Sequence, residues 1–201
     1  AQDLHDESGS TLSSISLYSA VMQKSSKSLP QNTHGILEKI IDSTSEIMEN
    51  MSDMVWTIKS DNDHFRQVVH RMRAFAANVA DSKGIALRFD AQARVEELRL
   101  DMDKRKNVYL IYKEAVINAV KYAECTELQI DLRKTNHNIE LHIRDNGKGF
   151  DPGSVDYSES SLGGNGLTGM ALRAEKLGAD FRIDAAPGQG TTISLKLPVN
   201  H

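Results

Sequence analysis

A polar stripe lies along one face of the helix that the sequence predicts over residues 104–123. Glu114, Asn118 and Lys121 stand at positions i, i+4 and i+7, which share one helical face. Asparagine is a poor helix former in mid-helix and gains from a partner there. A carboxylate, an amide oxygen and an ammonium group together suit a hard cation and a phosphate, because Mg²⁺ accepts an amide oxygen alongside phosphate oxygens and waters. The alternative is a solvated face with a Glu–Lys pair.

A second acidic residue ends an apolar alternation in the segment IELHIRDNGKGF, residues 139–150. Every second residue from 139 to 143 is apolar, and Asp145 continues the same inward phase. A buried carboxylate needs a hydrogen-bond donor, and the exocyclic amine of adenine is a suitable one. Gly147 and Gly149 would let the backbone approach a flat ligand closely. The alternative is a plain Asp-Asn-Gly turn that closes a hairpin.

Two further segments are suited to phosphate or base binding. The segment GGNGLTGM, residues 163–170, includes Gly164 and Gly166 before a helix start, where free amides bind phosphate. The segment GQGTTISLKLP, residues 188–198, leads a flexible turn into a strand and offers the Thr191 hydroxyl to a base. Near the start of the chain, DLHDESGSTL sets a histidine beside an aspartate in a serine-rich run, and the question is what that imidazole would react with.

The first sixty residues or so contain no convincing strand. Apolar residues at spacings of three and four between Leu12 and Met22 predict a helix. A break at residues 29–32 precedes a broad apolar stripe from Ile36 to Ile58, which is wider than one helical hairpin covers by itself. We therefore expect two hairpins to form a four-helix bundle in a homodimer. The alternative is that the stripe packs on the C-terminal half of the same chain.

The rest of the chain predicts an α+β domain, in which helices cover one face of a sheet. The polar segment at residues 59–65 is the expected hinge, so we predict a helical domain over 1–62 and a second domain over 63–201. Apolar periodicity predicts helices over 65–79, 104–123 and 166–177, strands over 85–89, 128–132, 139–143, 181–183 and 193–197, and an irregular loop over 146–166.

Composition narrows the functional classes. The chain has 201 residues and a net charge of −4, so no basic field recruits nucleic acid. A single cysteine, Cys125, excludes an internal disulfide and suits a reducing compartment. No apolar run is long enough to cross a bilayer. Since the first residue is alanine, we expect a fragment or processed product whose upstream sensor or membrane segment is absent.

Taken together, the four segments around residues 107–123, 139–150, 163–170 and 188–198 resemble the nucleotide-binding boxes of the ATPase fold that histidine kinases share with gyrase-type topoisomerases and mismatch-repair ATPases. The opening DLHDESGSTL, with the helical hairpin behind it, resembles the phosphoacceptor and dimerisation region of sensor histidine kinases of the HDxxxQ type. The resemblance covers essentially the whole chain. It implies an N-terminal helical hairpin followed by an α/β sandwich ATP-binding domain.

The resemblance implies a role for each matching residue. In the first domain, His5 would accept the γ-phosphoryl group of ATP, and Asp6 would orient the imidazole and act as general base. In the second, Asn118 would ligate Mg²⁺, Glu114 would hold a water or the outer shell of the metal, and Lys121 would contact phosphate. The remaining roles are an adenine acceptor at Asp145, a pocket shaped by Gly147 and Gly149 with help from Thr191, a lid over residues 151–165, and phosphate contacts at Gly164 and Gly166.

One position departs from the family pattern. The glutamine of HDxxxQ falls at Ser10 here, and in the family that glutamine is associated with removing phosphate from the partner protein.

The resemblance as a whole predicts a cytoplasmic histidine kinase core that uses ATP and Mg²⁺, phosphorylates itself and passes the phosphoryl group to a response-regulator receiver domain. The alternatives are an ATPase or protein-serine kinase of the same fold, and an inactive nucleotide-binding scaffold that dimerises.

Overall fold

The computed structural model describes residues 65–154 and 165–199 and, among the first 44 residues, positions 12, 15, 17–19, 21, 22, 33, 36, 37, 40 and 44. The chain divides into two compact units, Ala1–Lys59 and Ser60–His201. Every described residue of the first unit is helical, as the apolar spacing predicted. No helix within the described residues has both the length and the apolar character that crossing a bilayer requires.

The second unit has the predicted α+β architecture. Its helices are α1 (Phe65–Asp81), α2 (Ala93–Glu96), α3 (Met102–Tyr122) and α4 (Asn165–Lys176), and its strands are β1 (Ala86–Ala91), β2 (Glu127–Thr135), β3 (Asn138–Asp145), β4 (Asp180–Ala185) and β5 (Thr191–Pro198). The described strands form one five-stranded sheet in the order β1-β2-β3-β5-β4. Strand β1 pairs with β2 in parallel, and the other neighbours are antiparallel.

Helices α1, α3 and α4 provide the layer that packs on this sheet, with α3 between the other two. The inward residues of β2 and β3 are apolar at every second position and fully buried, for example Ile130 and Leu141. The opposite face of the same strands carries polar residues such as His142, whose Nδ1 lies 3.0 Å from the Ser194 hydroxyl. One hydrophobic face and one polar face follow from strict alternation along each strand.

Local sequence sets the ends of α3 and α4. Helix α3 begins two residues earlier than predicted because the Asp101 side chain accepts a hydrogen bond from the Lys104 amide at 2.8 Å and caps the helix. Helix α4 begins at Asn165 and ends near Gly178, whose φ of +62° is the left-handed conformation predicted for a residue that terminates a helix. Both helices lie where their residues can line a site.

The structure also differs from the prediction in two places. The short helix α2 was not predicted, because four residues are too few for a helical period to be recognised in a sequence. The loop predicted over 146–166 contains a 3₁₀ turn at Pro152–Ser154. Neither difference changes the class of the fold.

Candidate functional site

Asp145 is the buried acceptor that the strand phase predicted. It ends β3 with only 5% of its surface exposed. Its Oδ1 accepts hydrogen bonds from the backbone N–H groups of Gly147 at 2.9 Å and Thr191 at 3.3 Å. Burial raises the pKa of the Asp145 carboxyl, whereas these N–H groups and the Thr191 hydroxyl favour the charged form. The carboxylate is therefore held in place by neutral donors.

Three glycines allow loops to pack closely around this carboxylate. A Cβ at Gly147 would overlap the carbonyl oxygen of Ala123, just after α3. A Cβ at Gly190, where φ is +72°, would overlap the carbonyl oxygen of Asp145 itself. A Cβ at Gly149, where φ is +57°, would overlap backbone that follows β4. Larger residues at these positions would separate the loops, so the glycines set the shape of this region.

The loop after β3 is joined to its surroundings on two sides. The Lys148 amide donates to the carbonyl of Ala123 at 2.8 Å, and the Lys148 carbonyl accepts from the Gly188 amide at 2.6 Å. One bond reaches the end of α3 and the other reaches the turn between β4 and β5. The Asp145 carboxylate therefore lies where the end of α3, the end of β3 and the β4–β5 turn meet.

The polar stripe of α3 forms the other part of the site. Glu114 and Asn118 are half-buried, and Lys121 is exposed in the last turn of the helix. A Cβ at Gly166 would overlap Oε1 of Glu114, so the start of α4 lies directly against that carboxylate. The structure thus brings Glu114 and Gly166 together, although they are far apart in the sequence. The first amides of a helix are suited to anions, and α4 begins beside the stripe.

The donor atoms of this stripe fit a magnesium ion that is partly held by other oxygen ligands. Glu114 offers a carboxylate and Asn118 offers an amide oxygen one turn later on the same face. Among the described residues, His, Cys, Asp and Glu form no cluster of three or more that could hold a metal ion. Mg²⁺ characteristically keeps waters and takes substrate phosphates as ligands, so two protein oxygens suffice.

Some of the sequence-predicted site residues lie outside the described residues. These are His5, Asp6 and Ser10 in the first unit, and Gly164 in the glycine-rich segment. The same holds for residues 155–164 of the predicted lid. The roles assigned to them remain predictions.

Two residues of this region were not singled out in the sequence. The sequence indicates Gly190 only as part of a flexible turn, yet the structure places it against the Asp145 backbone. The sequence indicates Asn146 only as a turn residue, yet its side chain makes three hydrogen bonds to the segment after α3. A sequence shows that such residues favour turns but not which distant backbone they contact.

Family models match both parts of the chain. The model described as "Histidine kinase" matches residues 1–64. The model described as "Histidine kinase-, DNA gyrase B-, and HSP90-like ATPase" matches residues 103–201. The chain belongs to the histidine kinases. Its second part carries the ATPase domain of that family, as the resemblance of the four segments implied.

A relative identified by sequence comparison agrees with this assignment. An uncharacterized sensor-like histidine kinase from Chloroflexus aurantiacus is 32% identical over 134 residues, which are 66% of this chain and 21% of that protein. The chain therefore spans about a fifth of the length of that relative.

Solved structures share the fold. The histidine kinase domain of the Erythrobacter litoralis EL346 blue-light activated histidine kinase aligns over 96% of both chains, with a TM-score of 0.60 and 14% identity. Full-length ShkA in complex with AMPPNP aligns over 98% of this chain and 45% of its own, with a TM-score of 0.60 and 14% identity. At such low identity, these two likenesses establish the fold of this histidine kinase and not its ligands.

Proposed function

We propose that this histidine kinase core binds Mg-ATP, transfers the γ-phosphoryl group to His5 and passes it on to an aspartate of a response-regulator receiver domain. The observation that carries the proposal is the buried Asp145, an acceptor enclosed by glycine loops and joined to the helix that carries Glu114 and Asn118. An adenine acceptor and a cation-binding stripe in one domain are what a magnesium nucleotide requires.

Asp145 is assigned to the adenine. A carboxylate held by backbone donors keeps a second oxygen that can accept from the exocyclic amine of the base. The Thr191 hydroxyl also bonds to the carboxylate, so Thr191 assists by orienting Asp145 rather than by binding the base alone. The AMPPNP in the ShkA structure supports an adenine nucleotide as the ligand of this fold.

The α3 stripe is assigned to the phosphates. Asn118 and Glu114 would hold Mg²⁺ directly or through water, and the exposed Lys121 would neutralise phosphate charge. Bound Mg²⁺ supplies charge neutralisation at the β- and γ-phosphates. The start of α4 at Gly166 would add backbone amides, and Gly164 belongs to the same glycine-rich segment. Phosphoryl transfer needs mainly positioning and charge neutralisation, which these groups supply.

In the transfer step, a neutral ring nitrogen of His5 would attack the γ-phosphorus. The new P–N bond would form as the bond to the β,γ-bridging oxygen breaks, which releases ADP. Asp6 would accept the proton of the other ring nitrogen and so prevent positive charge from remaining on the imidazole. The subsequent attack of a receiver aspartate would transfer the phosphoryl group and regenerate His5.

The homodimer is supported by apolar side chains of the first unit. Ile15, Tyr18 and Met22 are exposed, as are Ile36 and Ile40 on the second stretch of described helical residues. Exposed apolar side chains that recur at helical spacing favour an interaction site. A four-helix bundle of two chains would bury it. A cytoplasmic location also remains a prediction, which the single cysteine of the chain favours.

The test is incubation with γ-labelled ATP and Mg²⁺, followed by acid treatment of the labelled protein. Phosphohistidine is labile to acid, whereas phosphoserine is stable, so the outcome separates a histidine kinase from a serine kinase of the same fold. His5→Gln should abolish labelling and keep ATP binding, because acceptor and pocket lie in separate units. The matched control is His70→Gln, an exposed histidine on α1. Undiminished labelling of the His5 variant would remove the proposed acceptor.

A further inference from the structure

The Asn146 side chain forms a hydrogen-bonded clamp between the loop after β3 and the segment after α3. Its Oδ1 accepts from the backbone N–H groups of Thr126 and Glu127, both at 2.9 Å. Its Nδ2 donates to the Thr126 hydroxyl at 2.9 Å. The backbone amide of Asn146 donates to the carbonyl of Glu127 at 3.3 Å. Both lone pairs of the side-chain oxygen are thus engaged by main-chain donors.

The clamp stands between two residues of the proposed nucleotide site. Asp145 precedes Asn146, and Gly147, whose missing side chain allows contact with Ala123, follows it. Thr126 lies only four residues after the end of α3, the helix that carries Asn118. The Asn146 bonds therefore tie the adenine acceptor to the short segment that connects β2 to the helix carrying the proposed metal ligand.

The second side-chain link between these segments is an ion pair between two exposed side chains, whereas the Asn146 side chain, which is also exposed, bonds to main-chain groups. Lys148 forms an ion pair with Glu124 at 2.7 Å, but the two side chains are 58% and 75% exposed. Ion pairs at such exposure contribute little, because water and salt screen them. The Asn146 side chain instead accepts hydrogen bonds from two main-chain N–H groups at the start of β2. Without this side chain, those N–H groups would depend on water for their hydrogen bonds.

We propose that Asn146 is a positioning residue for nucleotide binding, which fixes the adenine acceptor Asp145 relative to the metal- and phosphate-binding face of α3. This inference rests on the proposed function. A nucleotide spans both groups, so its affinity depends on the distance between them being set before binding. Asn146 itself touches neither base nor phosphate in this scheme.

The variants separate positioning from mere folding. Asn146→Ala removes all three side-chain bonds. Asn146→Asp keeps an oxygen for both amides and offers its second oxygen to the Thr126 hydroxyl, so it should rescue the clamp. Lys148→Met is the matched control, since it removes the exposed ion pair from the same loop and leaves the clamp intact. Urea unfolding would identify conditions in which every variant is folded.

Calorimetry with Mg-ATP should show about tenfold weaker binding for Asn146→Ala, the change produced by losing about 1.4 kcal/mol. Asn146→Asp and Lys148→Met should stay within about twofold of the parent. The second readout is the amide NMR signal of Thr191 in the free protein, which reports on Asp145 because that amide bonds to its carboxylate. This signal should shift in Asn146→Ala and return in Asn146→Asp.

The results have distinct meanings. A parent that fails to bind Mg-ATP would contradict the proposed function itself. If the parent binds and folded Asn146→Ala binds equally well, or binds weakly with the Thr191 signal unmoved, the positioning role is wrong and the proposed function stands. If Asn146→Ala does not fold, Thr126→Val takes its place, since it removes only the Nδ2 acceptor. It should weaken binding about threefold, and parent-like affinity would overturn the inference.

Discussion

Replacing Asp145 by asparagine should separate nucleotide recognition from folding. The amide oxygen of asparagine can still accept from the N–H groups of Gly147 and Thr191, so the loop after β3 keeps its contacts. The side-chain NH₂ group, however, is a donor, and the exocyclic amine of adenine is also a donor. We therefore expect Asp145→Asn to fold and to bind Mg-ATP poorly.

The loss of affinity can be bounded from the environment of the carboxylate. A hydrogen bond to a charged group contributes about 1.5–3 kcal/mol, which corresponds to about 10- to 150-fold in Kd. Because Asp145 is only 5% exposed, little water is available to replace the missing acceptor. The loss of Mg-ATP affinity in Asp145→Asn should therefore fall within this range of Kd changes rather than below it.

The same variant should be more stable than the parent without nucleotide. Burial raises the pKa of Asp145, which means that the folded state disfavours the ionised form. A raised carboxyl pKa lets the folded state bind the proton more readily than the unfolded state does. The parent therefore gains stability as the pH falls through the folded-state pKa toward the unfolded value of about 3.9. The stability advantage of the neutral Asp145→Asn variant should be full above the folded-state pKa and shrink as the pH falls through it.

Two measurements check this reasoning. Calorimetry gives the Kd for Mg-ATP, and urea unfolding at several pH values gives the free energy of unfolding of each protein. Asp184→Asn, which neutralises an exposed carboxylate on β4, is the matched control and should change neither quantity appreciably. Undiminished Mg-ATP affinity in Asp145→Asn would refute the adenine assignment. A stability advantage that grows in acid would refute the sign of the linkage.

Three further predictions concern other parts of the chain. Gly166→Ala should displace the Glu114 carboxylate, because the added methyl group overlaps Oε1, and should reduce the autophosphorylation rate at least tenfold. The control is Gly169→Ala on the same helix, whose added methyl group meets only the end of a flexible arginine. The autophosphorylation rate should change less in that variant. Ile40→Lys should convert the proposed dimer to a monomer in sedimentation experiments, because an unpaired buried charge costs several kcal/mol. Ser10→Gln should increase dephosphorylation of the cognate regulator, since a serine hydroxyl is shorter than a glutamine side chain and would bond back to the backbone of the predicted helix. Equally fast dephosphorylation by the parent would contradict this reading.

The buried position of Asp145 was predictable because it depends on a short-range rule. Alternation along a strand assigns each residue to a face, so three apolar residues in phase fix the direction of the fourth. The stripe of Glu114 and Asn118 was predictable in the same way, from the period of a helix. In both cases the sequence separation that matters is at most a few residues.

The contacts that assemble the site were not predictable in this way. The close approach of Gly166 to Glu114 requires α4 to pack against α3, although more than forty residues separate the two helices. No local period in the sequence encodes that packing. The parallel pairing of β1 with β2 likewise crosses the whole of α2 and α3. The resemblance to a known fold supplied this long-range arrangement, but it did not indicate the bonds of Asn146.

The burial of Asp145 links the stability of the domain to its function. An ionised carboxylate in this position opposes folding when no ligand is bound, and two backbone N–H groups offset only part of that cost. An adenine donor would satisfy the remaining oxygen, so nucleotide binding should stabilise the domain beyond the effect of phosphate contacts alone. Asp145→Asn should therefore lose not only affinity but also much of the increase in thermal stability that Mg-ATP gives to the parent. That coupling distinguishes a recognition carboxylate from a carboxylate that only closes a turn.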